Sequence, residues 1–180
     1  GATLACERAR WVRERAEEFA RLTEAIGEEG VSRMSHRSTI AREPDPCAAL
    51  AEALSRQRKH DMRRGVTHSG PHRDELSLSL DGRDLRVFGS AGQQRTAAIA
   101  LRMLERATLA ESSGSLPVLL LDDPFAELDS RRSARILGLL ETAGIGQTVL
   151  AVPRENDIPG ELLGLEKRRI RAGAIEVEGA

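Results

Sequence analysis

Four apolar residues, Val118-Leu119-Leu120-Leu121, run without a break into two adjacent aspartates, Asp122 and Asp123. So short an apolar run, with no polar residue alternating through it, reads as a strand of a mostly parallel sheet covered on both faces. Two acids at its exit have no place in packing. In open α/β sheets, ligands bind beyond the carboxyl ends of the strands, so the pair is expected to face one. The competing explanation is an ordinary solvated strand end.

The segments around this strand alternate. Leu76, Leu78 and Leu80 are spaced as in a half-buried strand, Asp81-Gly82 is a hairpin turn with both central residues at positive φ, and Leu85 and Val87 resume the alternation on a returning strand. A helix is expected from about Gln93 to Ala110, then the strand Val118 to Leu121, a helix from Ser130 to Ala143 and a strand from Thr148 to Val152. Strand–helix–strand order of this kind implies parallel pairing. Residues 165–178 read as a closing hairpin around Ala172-Gly173.

The first third of the chain is different. Trp11, Phe19, Leu22 and Ile26 recur at helical spacing among Arg, Glu and Ala, which predicts one amphipathic helix over residues 3–29, ended by Gly27 and Gly30. Residues 30–44 are polar and read as irregular. Asp45-Pro46 then supplies an N-cap and a proline at the first helical position, opening a second helix from Cys47 to about Arg64 that ends at Gly65. Leu50, Ala53, Leu54 and Met62 would face inward. Two charged helices joined by a loop suggest a projecting arm, residues 1–64, with a domain boundary near 65 and a second unit over 65–180. The opening Gly1-Ala2, without an initiator methionine, is expected of a stretch cut from something longer.

Composition excludes some classes of partner. A net charge of -1 over 180 residues with 31% charged side chains produces no global field toward nucleic acid or an anionic membrane, so any such contact is local. No apolar run reaches the roughly 20 residues a bilayer span requires, so no membrane role is expected. Two cysteines, Cys6 and Cys47, lie without metal-ligand spacing, which suggests free thiols and a cytoplasmic location. The one local basic cluster, Arg56, Arg58, Lys59, His60, Arg63 and Arg64, closes the second helix. It is either a solvated helix end favoured by the helix dipole or a contact for DNA phosphates.

Upstream of the acid pair, Ser90-Ala91-Gly92-Gln93-Gln94 precedes an Ala- and Leu-rich helix, and Ser90 with Gln93 has the spacing of a capping box. A helix N-terminus also offers free backbone donors and a favourable dipole to a phosphate, and Gly92 permits close approach. Capping alone explains the same residues. Downstream, Ala126-Glu127-Leu128-Asp129 follows the acids, and Asp129 is a plausible N-cap for the next helix.

In this order and spacing the three segments resemble the signature, Walker B and D-loop motifs of an ABC-type ATPase head, and more closely those of the RecF family of bacterial recombination-repair ATPases, relatives of the SMC heads. Thr67-His68-Ser69-Gly70-Pro71-His72-Arg73-Asp74-Glu75-Leu76 is similar to that family's GPHRDDL segment, Gly92-Gln93-Gln94-Arg95-Thr96 to its GQQR stretch, and Leu120 through Asp129 to its Walker B and D-loop. The resemblance covers most of the chain. It implies an α/β fold, the C-terminal lobe of an ABC or P-loop-type ATPase head, with a helical arm segment at residues 1–64.

By the same resemblance, Asp122 is the Mg²⁺-associated acid and Asp123 the catalytic acid. Ser90, Gly92 and Gln93 form the signature loop that reaches across a dimer to the γ-phosphate held on the other subunit, and Asp129 is the D-loop acid at that interface. ATP and Mg²⁺ are the implied cofactors. DNA near single-strand gaps, RecR, RecO and a second copy of the complete protein, joined in an ATP-dependent homodimer, are the implied partners. His72 and Arg73 belong to a family motif, but local hydrogen bonding accounts for them equally well. Many ABC proteins place a switch histidine after the last strand, where this chain reads Ala151-Val152-Pro153-Arg154, and Pro124 departs from the commoner family residue.

One element is absent from the sequence. A P-loop ends in Gly-Lys-Ser/Thr, whose backbone and lysine hold the β- and γ-phosphates. Lys59 follows Arg58 and Lys167 follows Glu166, and there is no other lysine. The resemblance therefore implies that the cradle lies in an N-terminal lobe, truncated here or on another chain, and that this chain alone turns over no ATP. Two alternatives stand beside this reading. One is a non-catalytic DNA- or protein-binding module with a vestigial acid pair. The other is an unrelated Mg²⁺-dependent hydrolase, which leaves Ser90 to Gln94 unexplained.

Overall fold

A computed structural model describes residues 1–142, 146–154, 157–158 and 166–176. Helix α1 spans Ala2–Ile26 and is closed by Gly27 in the left-handed region, φ 117°, with the Gly27 N–H donating to the Thr23 and Glu24 carbonyls. Strand β1, Ser32–Arg37, follows. It occupies the stretch that reads as irregular in the sequence. Its inward face is Ser32 and Met34, and the long-range antiparallel partner β2, Glu75–Leu80, supplies its hydrogen bonds in the register Met34 to Leu78.

Between these strands runs α2, Pro46–Arg64, with Pro46 in its first turn, Asp45 accepting from the Cys47 and Ala48 amides, and Gly65 closing it in the left-handed region. The expected inward stripe on α2 is met only in its first half. No residue of the helix is fully buried: α2 touches α1 and leaves Leu50 and Ala53 half-buried, while Leu54 and Met62 are exposed, since no further element among the described residues covers them. Its C-terminal end is tied down by Asp61, whose carboxyl is lowered from its ordinary value chiefly by a hydrogen bond with His68 at 2.6 Å.

The hairpin turn forms as its sequence requires, with Asp81 at φ 50° and Gly82 at φ 78°. The returning strand does not. Strand β3 is only Arg83–Asp84, and Leu85–Phe88 coil into a short helix, α3. The side chain of Asp84 accepts from the Arg86 amide at 2.9 Å and caps that turn, so local capping overrides the two-residue alternation.

Helix α4 spans Ala91–Ser113, strand β4 Leu119–Asp122, helix α5 Ser130–Thr142 and strand β5 Thr148–Ala151. The expected last residue of α5, Ala143, lies outside the described residues. Strands β4 and β5 pair in parallel, Leu120 opposite Val149 and Asp122 opposite Ala151. A closing hairpin is formed by β6, Arg169–Arg171, and β7, Ala174–Glu176, with Ala172 and Gly173 at positive φ between them. The outer parts of that expected hairpin, at 165, 177 and 178, lie outside the described residues.

One apolar core joins the two ends of the sequence. Val12, Phe19 and Ile26 of α1 pack with Met34 of β1, with Ala97, Ala100 and Leu104 of α4, and with Ile136 and Leu137 of α5. Trp11 packs at its edge, and its indole N–H donates to the Thr108 hydroxyl at 2.8 Å. Among the described residues no helix is long and apolar enough to cross a membrane, and both cysteines are free thiols.

Strand β4 departs from the sequence expectation in one respect. Leu119 and Leu121 face the core, while Leu120 on the other face is 69% exposed and its neighbour Val149 is 47% exposed. The continuous apolar run therefore reflects a face that the described residues leave open. Leu121→Ala is expected to cost about 2 to 5 kcal/mol, in line with other buried leucine truncations. Leu120→Ala should stay within about 0.5 kcal/mol. Urea denaturation of the two variants checks the asymmetry.

Candidate nucleotide half-site

The acid pair is positioned by the parallel ladder. After Asp122 pairs with Ala151, the Asp123 amide donates to the Ala151 carbonyl at 2.8 Å, extending the ladder by one bond. The chain then leaves the sheet abruptly, because Asp123 sits in the left-handed region at φ 46°. Aspartate is among the few non-glycine residues that adopt this region readily. Pro124 and Phe125 bury themselves immediately afterwards and hold the turn in place. The Ala126 amide donates to the Asp123 carbonyl at 3.3 Å and the Leu128 amide to the Phe125 carbonyl at 3.2 Å, with Glu127 at φ 62° between them. The result is a tight loop that leaves Asp122 exposed and Asp123 half-buried. Among the described residues neither carboxylate is held in an ion pair.

Asp129 closes this loop as the cap of α5. Its carboxylate accepts from the Arg132 amide at 2.8 Å, and its carbonyl accepts from the Ser133 amide at 3.0 Å. Sequence spacing predicts this cap, and the geometry forms it.

The turn before α4 is a reciprocal capping box. Ser90 Oγ accepts from the Gln93 amide at 3.2 Å, and Gln93 Oε1 accepts from the Ser90 amide at 2.9 Å. Gln94 adds a bond from its side-chain amide to the Gly89 carbonyl at 3.0 Å. With Gln93 so engaged, the first-turn amides of Ala91 and Gly92 are the groups that a helix leaves without intrahelical partners. Ser90→Ala should remove about 1 kcal/mol of stability, the usual cost of losing an N-cap hydroxyl, measurable by thermal melting.

Gly92 has a nearer reason to be glycine than the approach of a phosphate. A Cβ there would lie 2.8 Å from the Glu127 carbonyl oxygen, inside the closest separation that real Cβ atoms show. The capping turn and the loop after the acid pair are thus in backbone contact. Arg95, one turn further along α4, donates to the Asp123 carbonyl and fastens the helix to the exit of β4. Arg95 lies within the GQQR-like stretch, where its type and spacing alone give it no role. Its one visible signal is its place three residues beyond Gly92, on the second turn of a helix whose first turn is already singled out.

His72 and Arg73 serve local structure. His72 Nε2 lies 2.7 Å from the Thr67 carbonyl, and the Arg73 guanidinium donates to the same oxygen at 3.2 and 3.3 Å. The next residue, Asp74, turns inward. Its carboxylate is 3.5 Å from His36 Nε2, with both side chains at least nine-tenths buried.

Chemically, the arrangement offers a helix N-terminus with free amides, a hydroxyl at its cap, and an unpaired carboxylate pair at the end of a parallel strand, all joined through Gly92, Arg95 and Asp129. Oxygen ligands of this kind suit a hard divalent cation. Among the described residues no group of three or more His, Cys, Asp or Glu side chains could cage a metal.

No protein-family model matches the chain. Among curated proteins it is 40% identical over 141 residues to the DNA replication and repair protein RecF of Magnetococcus marinus, covering 78% of this chain and 37% of that protein. It is 41% identical over 112 residues to RecF of Bacillus subtilis, covering 62% of this chain and 30% of that one. A solved structure of the recombination mediator protein RecF with ATP, from the RecFOR pathway, superposes with a TM-score of 0.73 at 26% identity, covering 98% of this chain and 46% of that chain. The chain thus spans less than two fifths of these curated relatives. Its fold is an α/β lobe of an ABC-type ATPase head, and the chain belongs to the RecF family of DNA replication and repair proteins.

Proposed function

We propose that the chain supplies the acid pair, signature turn and D-loop of an ATP-hydrolysing head that dimerises on DNA during replication and recombination repair. The observation that carries this reading is the backbone contact between Gly92 and Glu127. It sets the capped N-terminus of α4 directly against the loop leaving β4, so that the signature turn and the acid pair are carried on one unit.

In this reading Ser90 and the amides of Ala91 and Gly92 contact the γ-phosphate of a nucleotide seated on the partner subunit, where the helix dipole favours its charge. Gln93 keeps that turn in shape. Asp123, half-buried and unpaired, orients the attacking water and accepts its proton. Asp129 stands at the interface between heads. Asp122 is the residue that would hold Mg²⁺, an ion that neutralises phosphate charge in such sites. The phosphate cradle comes from outside these residues, since neither lysine can end a P-loop.

The arm segment, residues 1–64, is then rooted in the head by α1 and projects through α2, whose uncovered faces and basic end are available to DNA phosphates. One solved relative is a recombination mediator protein of the RecFOR pathway, which supports RecR and RecO as the protein partners we propose. The cytoplasm is the proposed location.

The chain alone, mixed with ATP and Mg²⁺, is expected to release no phosphate above background. Adding a lobe with a Gly-Lys-Ser/Thr loop should give turnover that depends on Ser90 and Asp123. Phosphate release by the isolated chain that persists in Asp123→Ala overturns the reading.

A further inference from the structure

Glu28 is a carboxylate that neither capping nor surface charge explains. It follows the glycine that ends α1, and its amide donates to the Thr23 carbonyl at 2.9 Å, completing the cap and fixing Glu28 rigidly to the end of the helix. Its side chain is only 7% exposed. It points between α4 and α5. Arg132 Nη1 lies 3.3 Å from Glu28 Oε2, and Arg132 Nη2 donates to Oε1 at 3.5 Å. The Gln93 side-chain amide also donates to Oε1, at 3.5 Å.

Both partners belong to the half-site. Gln93 is the residue whose Oε1 holds the Ser90 amide, so Glu28 fixes which end of the Gln93 amide faces the turn. Arg132 follows Asp129 on α5. It also reaches the Gly27 carbonyl at 3.3 Å and the Thr96 hydroxyl at 3.5 Å. One buried carboxylate therefore joins the end of α1, the signature turn and the α5 cap. Its contacts are long. Charge-assisted bonds normally close to about 2.7 to 2.9 Å, whereas every contact of this carboxylate is longer, and Oε2 accepts no hydrogen bond.

We infer that Glu28 is a positioning residue: through Gln93 and Arg132 it transmits the placement of α1 to the turn that presents Ser90. A force on the arm thereby adjusts the contact that Ser90 makes with nucleotide. The inference rests on the nucleotide reading above, and its test separates the two.

The first arm follows the Ser90 and Gln93 amide protons in this chain by NMR hydrogen exchange, and it needs no nucleotide. In the isosteric variant Glu28→Gln, exchange at Ser90 is expected to rise about five- to tenfold, while the Leu104 amide in the middle of α4 is unchanged. The second arm uses the complete gene product. Glu28→Gln should lower kcat for ATP about tenfold with KM within about twofold. In a Ser90→Ala background the same substitution should add less than about twofold, because the two changes act through one contact. Unchanged exchange at Ser90, or a kcat loss that adds fully to that of Ser90→Ala, overturns the inference. Should the complete product hydrolyse no ATP, or hydrolyse it equally well as Asp123→Asn, the nucleotide reading fails and the exchange arm still decides whether Glu28 sets the turn.

Discussion

Asp123→Asn in the complete gene product is expected to lower ATP turnover by about three orders of magnitude while ATP affinity changes no more than a few-fold, the pattern of a group acting only in the transition state. Asparagine is the informative substitution for a backbone reason. Asp123 sits at φ 46°, and its amide and carbonyl hold the Ala151 and Ala126 bonds that shape the loop. Asparagine keeps the size of the side chain and tolerates the left-handed region, so the loop and the Arg95 anchor on the Asp123 carbonyl stay in place. It cannot accept a proton. Alanine removes the carboxylate as well but is strained at this φ by about 1 kcal/mol or more, so part of any loss would be structural. The two variants should share the loss of turnover, and only alanine should also lower the melting temperature. Single-turnover phosphate release beside a nucleotide-binding titration reads both quantities. If Asp123→Asn retains more than about a tenth of wild-type turnover, Asp123 is not the proton acceptor.

Much of this half-site is legible in the sequence because its devices are local. Ser90 and Gln93 are three residues apart and form the capping box their types predict. Asp129 caps the helix it precedes, Asp81-Gly82 makes the turn its φ angles require, and the strand before the acid pair lies in a parallel sheet. Misreadings occur where a distant partner decides. Ser32–Arg37 has little apolar pattern of its own and becomes a strand because β2, whose residues pair with it from 38 to 48 positions on, supplies its hydrogen bonds. Leu54 and Met62 of α2 look core-facing, yet among the described residues no element covers them. Glu28 and Arg132, separated by 104 positions, form a joint that no window of sequence displays. Gly92 is the instructive intermediate. The sequence singles it out for the approach of a phosphate, but the atom that forbids a side chain belongs to Glu127 on another loop.

Phe19→Ala is expected to destabilise the whole head by about 3 to 5 kcal/mol, the usual cost of removing a fully buried aromatic. Phe19 is 0% exposed and lies in the C-terminal half of α1, in the same cluster as Ala100 and Leu104 of α4 and Ile136 of α5. Against a typical total of about 5 to 15 kcal/mol, such a loss is a large fraction of stability. Its distribution matters as much as its size. If α1 and α2 formed an arm that folds by itself, the substitution would melt an early, separate transition and leave the head at its original midpoint. A shared core predicts the opposite: one cooperative transition, shifted as a whole, with near-ultraviolet signals from Trp11 and amide protection in α4 lost together. Leu54→Ala on α2 is the matching control. Leu54 is 39% exposed on a helix with no buried residue, so its truncation should cost about 0.5 kcal/mol or less. A large, single shift for Phe19 and almost none for Leu54 would place the mechanical root of the arm within α1. It is from that root that Glu28 reaches the signature turn.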